Sequence, residues 1–195
     1  MKTTSEFLEI TAASGGRKPS VRGLAYSGGK MRLFGWSRPV VVDMAGMNIP
    51  ESVPLLANHE NHTLCRVGVV NASLTGGRLE ISGEIVAGGE LAETIVAQGR
   101  AGADWQLSIG AEVEAAELVQ EGKRTVNGVE HEAPFYHVTK STLREVSVVA
   151  VTTPTRQSVS FTWFVRRGTE SGMPIPAMST TTGRDHPKSR IFPPE

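Results

Sequence analysis

Cysteine is nearly missing from this chain. Cys65 alone, among 195 residues, excludes an internal disulfide and fits a reducing compartment. A surplus charge of either sign is missing too, since 20 Lys and Arg stand against 20 Asp and Glu. That balance excludes the sequence-independent grip on phosphates on which a nucleic-acid binder relies. It also leaves little repulsion between copies, so self-association is tolerable. Aromatic residues make up only 6%, and Trp36, Trp105 and Trp163 lie far apart, which argues against a stacking platform for single-stranded nucleic acid. No apolar stretch approaches the length of a membrane span; the longest, at residues 146–151, suits a buried strand. Residues 1–10 carry Glu6 and Glu9 and no apolar run, so no signal peptide is expected. The expectation is a soluble cytoplasmic protein with no membrane and no nucleic acid among its partners.

What the chain does have is 39% hydrophobic content, enough for one domain with a sizeable core. Its 21 glycines punctuate short elements, as many-stranded folds require. Residues 21–26 and 38–43 read as strands on either side of a turn-rich Ser27-Gly28-Gly29. Residues 66–71 and 78–86 read as a hairpin, and in its second arm Leu79, Ile81, Gly83 and Ile85 alternate with Arg78, Glu80, Ser82 and Glu84. Residues 89–98 break that period: Leu91, Ile95 and Gln98 fall at helical spacing, acidic residues open the segment, and Gly99 reads as its stop. Residues 105–113 form the next strand, Asn127-Gly128 signals a type I′ hairpin, and 136–139 and 143–151 complete a β-rich body. Residues 1–16 read as a loose arm. Residues 167–195, rich in Pro, Ser and Thr without periodicity, read as a disordered tail or linker.

Three residues stand out for chemistry. On a strand, Trp105, Leu107, Ile109, Ala111 and Val113 share one face, and Ser108 and Gly110 share the other. The apolar set would anchor the strand and turn the Ser108 hydroxyl toward solvent or a cleft, with Gly110 leaving room for a substrate backbone. Taken alone, a serine on a wet strand face is the commoner case. His59 follows Val53-Pro54-Leu55-Leu56, which places its imidazole at a strand end or turn, where it could take a proton near neutral pH. His59-Glu60-Asn61-His62 resembles a zinc motif only superficially, because the second histidine falls at i+3 rather than i+4, and no metal is expected. Glu145 shares a strand face with Leu143, Ser147 and Val149, where an unpaired carboxylate is costly. Orienting an imidazole would compensate it; so would a bridge to Arg144, Arg66 or Arg78. Cys65 could serve as a thiol nucleophile, though a small buried core residue is the commoner fate for such a position.

In order and setting, the segments Leu55-Leu56-Ala57-Asn58-His59, Leu107-Ser108-Ile109-Gly110 and Leu143-Arg144-Glu145-Val146-Ser147 resemble the prohead maturation proteases of tailed bacteriophages, relatives of the herpesvirus assemblins. Gly68-Val69 and Gly77-Arg78-Leu79 are similar to the hairpin of that family, and the likeness spans residues 21–158. The resemblance implies a mainly β fold, a closed β-barrel flanked by a few helices, occupying residues 17–166. It implies a serine endopeptidase without cofactor, in which His59, Ser108 and Glu145 are catalytic. Its substrates would be scaffold or the scaffold-like part of the major capsid protein, and itself, inside the assembling prohead in the host cytoplasm. Oxyanion donors would come from backbone near the nucleophile or from the Thr152-Thr153-Pro154 loop. Because assemblins use a second histidine, His131 and His137 remain alternatives to Glu145. A non-catalytic β-barrel assembly module of a phage particle is the rival reading.

Overall fold

The computed structural model describes residues 8–11, 18–86 and 88–150. Five short strands come first: β1 (Glu9–Thr11), β2 (Ser20–Tyr26), β3 (Val40–Val42), β4 (Met47–Asn48) and β5 (Val53–Ala57). β6 (Arg66–Thr75) and β7 (Arg78–Ile85) form a hairpin, and α1 (Glu90–Arg100) leads into β8 (Trp105–Val119). The β9 (Lys123–Val126) and β10 (Val129–Glu132) hairpin then precedes β11 (Phe135–Ala150). The alternation read in residues 78–85 is realised, with Leu79, Ile81 and Ile85 in the core and Glu80, Ser82 and Glu84 exposed. Gly76 and Gly77 have φ of 57° and 76°, the left-handed pair that a two-residue hairpin turn needs.

The main sheet runs β1-β2-β7-β6-β5-β11-β3. Along one edge β11 pairs in parallel with β3, β4 and β5 in succession; along the other it pairs antiparallel with β8. The fold is mainly β, as expected, but the barrel does not close. The sheet curls into a half-barrel in which β8 approaches β2 without a ladder between them among the described residues. One reason is that β1 already occupies the outer edge of β2 at Ser20, Val21 and Arg22. Glu9–Thr11 therefore belongs to the sheet, not to a loose arm. Nor do several helices flank it: α1 is the one α-helix among the described residues, and none there is long and apolar enough to cross a membrane.

Two boundaries differ from the sequence reading for identifiable reasons. α1 buries Ala92 and Ile95 while Leu91 is largely exposed, and it continues through Gly99 to Arg100. Gly99 is a point of close approach instead of a stop, because a Cβ there would sit 2.8 Å from the Ile10 side chain of β1. The segments at 136–139 and 143–151 are one long strand, β11, bent by register shifts after Val138 and after Leu143. The expected tail at 167–195, Trp163 and the Thr152-Thr153-Pro154 loop lie outside the described residues.

Two polar side chains clamp the loops behind this sheet. Asn127, at φ 55° in the expected Asn-Gly turn, accepts from the Met44 N–H at 2.9 Å and donates to Val42 O at 2.8 Å. Tyr26 donates its hydroxyl to Gly29 O at 2.7 Å and accepts from the Val42 N–H at 3.1 Å. Burial holds its phenol well above the ordinary tyrosine range. Tyr26→Phe strands both backbone partners and should lower unfolding free energy by about 1–3 kcal/mol, read by chemical denaturation. An unchanged midpoint and slope would show that the hydroxyl contributes nothing.

Candidate functional site

The site is assembled by three strands meeting on β11. Opposite β5, Val146 pairs with Leu55 and Val148 with Ala57; opposite β8, Val146 pairs with Ile109 and Val148 with Leu107. These residues fill the core cluster. The intervening positions face the other way, so Ser147 lies opposite Ser108 on β8 and opposite Leu56 on β5. A bulge at Arg144 sets this phase. Leu143 pairs with Ala111 and belongs to the core, whereas Glu145 pairs with Gly110 on the site face. The expectation that Leu143 and Glu145 share a face is corrected by that extra residue. Arg144 itself points out to Glu112.

His59 arrives by a reversal of the chain just past β5. The Asn58 N–H bonds Val148 O at 3.0 Å, and then Asn58 and His59 both adopt left-handed conformations, with φ of 53° and 59°. Asn and His tolerate this region better than most residues, yet it carries strain. The turn swings the imidazole over the site face of β11 and β8. There His59 Nδ1 lies 2.6 Å from Glu145 Oε1, and His59 Nε2 lies 2.7 Å from Ser108 Oγ. With the proton on Nδ1, the ring donates to the carboxylate and accepts from the serine hydroxyl, the tautomer a general base needs. His59 and Glu145 are both buried, and Ser108 is fully so. The hydroxyl is therefore not turned to open solvent, as its strand face alone suggested, because residues 107–111 are buried on both faces.

Among the described residues the carboxylate has no arginine partner; its second oxygen, Oε2, accepts from Ser147 Oγ at 2.7 Å. Gly110 provides the space in which it lies. A Cβ at that position would stand 2.1 Å from Glu145 Oε1, so the glycine serves the neighbouring carboxylate directly, whatever it offers a substrate. Gly110→Ala should push Glu145 off His59, destabilise by about 1–3 kcal/mol through overpacking, and slow Ser108 labelling by a fluorophosphonate about tenfold or more. A variant that labels as fast as wild type would contradict this account of Gly110.

The other candidates lie elsewhere. His137 Nε2 is 3.2 Å from Asp43 Oδ2 and its Nδ1 is 3.3 Å from Glu117 Oε1, a cross-link between β11, β8 and the turn after β3. His131 is buried beside Phe135, and desolvation lowers its pKa. Neither histidine is bonded to His59. His62 is exposed and accepts from the Leu64 N–H at 3.3 Å, capping a single 3₁₀ turn at Thr63–Cys65. Cys65 is only partly buried and not a core residue; its Sγ lies 3.4 Å from Glu60 Oε2. Desolvation and that carboxylate raise its pKa, which disfavours the thiolate. Sequence reasoning missed Ser147 as part of the site. Its signal was a polar residue at period two from Glu145 inside the valine-rich run Val146–Val149.

No protein-family model, curated protein or solved structure matches the chain.

Proposed function

We propose that this protein is a serine hydrolase whose nucleophile is Ser108, with His59 as general base and Glu145 as the group that orients it. The observation that carries the reading is the continuous relay Ser108–His59–Glu145, at 2.7 Å and 2.6 Å, built from three strands distant in sequence. Within that class, we propose a peptidase of the prohead maturation kind, on the strength of the sequence resemblance. Its substrates would be scaffold and the scaffold-like part of the major capsid protein, and its place the assembling prohead. The closed barrel of that family would then be represented here by a curled, open sheet.

In this mechanism His59 Nε2 removes the Ser108 proton as Oγ attacks the peptide carbonyl. Glu145 holds the Nδ1–H and stabilises the imidazolium formed in that step. The imidazolium then protonates the departing amine, and a water activated by His59 releases the acyl group and restores Ser108. Every proton moves through side chains of this chain.

The test is intact-mass analysis of the full chain co-expressed with the capsid protein. Shortened capsid or scaffold chains, produced by wild type but not by Ser108→Ala, are the expected result. Equal processing by both would end the serine-protease reading. Labelling of Ser108 by a fluorophosphonate without capsid processing would keep the hydrolase class and remove the capsid role.

A further inference from the structure

We propose that Ser147 is a positioning residue for this site, acting through Glu145 and the His59 turn; the inference rests on the serine-hydrolase reading above. Ser147 is fully buried on the site face of β11, directly opposite Ser108. Its hydroxyl does two things at once. It donates to Glu145 Oε2 at 2.7 Å, and its oxygen accepts the backbone N–H of His59 at 3.0 Å. The one donor hydrogen and one of the two lone pairs are thus both committed.

Each bond answers a specific need of the site. A free carboxylate side chain of Glu145 could rotate about its terminal torsion, and only one orientation aims Oε1 at His59 Nδ1. Fixing Oε2 fixes Oε1. The left-handed turn at Asn58 and His59 is the strained segment that carries the imidazole, and the Ser147 oxygen holds its N–H in a place where water has little access. A single hydroxyl therefore references both the base and its orienting acid to the same point of β11. Ser108, paired across the ladder from Ser147, is referenced to that point as well.

The experiment measures the rate at which a fluorophosphonate labels Ser108 in the full-length protein, with peptide mapping to identify the site. Ser147→Ala should label roughly ten- to hundredfold more slowly, the effect of losing a hydrogen bond to a charged group. Ser147→Cys fills the space but donates weakly, so it should be comparably slow if the bond matters and near normal if only volume does. Circular dichroism identifies a temperature at which the variants compared are folded, and should Ser147→Ala fail to fold, Ser147→Cys carries the test. The decisive comparison repeats the Ser147 substitution in a Glu145→Ala background. The share that acts through Glu145 is absent there, so the substitution should cost clearly less than in the wild-type background, the remainder reporting the bond to the His59 N–H, whereas a merely structural residue would cost the same factor in both backgrounds. Wild-type rates in the folded Ser147 variants, or equal factors in the two backgrounds, overturn the proposal while leaving Ser108 as nucleophile. A wild-type protein that never labels at Ser108 overturns the hydrolase reading, and this inference with it.

Discussion

Ser108→Ala and His59→Ala should each abolish processing of the capsid protein and labelling by a fluorophosphonate in a protein that still folds, His59→Ala with some loss of stability because it leaves Glu145 without its imidazole partner. Both side chains lie outside the core cluster, and alanine at either place removes the Ser108–His59 bond, with His59→Ala also removing the bond to Glu145. Nucleophile and base act as a unit, so either loss should cost about 10⁴-fold or more, and the double variant little beyond that. The measurement is the rate of substrate cleavage, followed by mass spectrometry, at a temperature where melting curves show each variant folded. Residual cleavage at a tenth of the wild-type rate by a folded Ser108→Ala protein would exclude Ser108 as nucleophile. Additive losses in the double variant would show that the two residues do not share one step.

Glu145→Gln should fold and cut roughly 10⁴-fold more slowly, as removal of the orienting charge does in comparable triads. An amide can still meet the ring, but it neither selects the tautomer with Nδ1 protonated nor stabilises the imidazolium. His137→Gln is the control that separates this arrangement from one using a second histidine. His137 is bound to Asp43 and Glu117, so its loss should leave activity within about threefold and appear, if anywhere, as a small loss of stability. A dead His137→Gln beside a near-normal Glu145→Gln would reverse the assignment.

The fold was legible where one period dominated. The alternation through Leu79, Ile81 and Ile85, the two-glycine turn at Gly76-Gly77 and the Asn127-Gly128 hairpin each depend on local chemistry alone. Reading failed where tertiary contacts set the conformation. Glu9–Thr11 has no strand signature of its own and is extended because β2 offers an edge. Residues 107–111 looked half-exposed, but in the fold both their faces are buried. At the site, the three reactive residues were visible as residues, while what aligns them was not. The bulge at Arg144 decides which way Glu145 points, and a bulge leaves no mark in a one-dimensional pattern. Gly110 was visible as a glycine, but its service to Glu145 depends on cross-strand register.

If the protein is the proposed hydrolase, β11 has a bearing on when it becomes active. Glu145 and Ser147 follow both His59 and Ser108 in the sequence, and the strand that carries them joins the His59 side of the sheet to the Ser108 side. During synthesis the histidine and the serine emerge first, with nothing between them to fix their separation. A nucleophile without its base and orienting acid is an ordinary alcohol, so the nascent chain cannot attack itself or its neighbours. On the proposed reading, full reactivity therefore waits until β11 has joined the two sides of the sheet. If, as proposed, the targets are made alongside the protein, this dependence on a single strand would serve as a built-in delay.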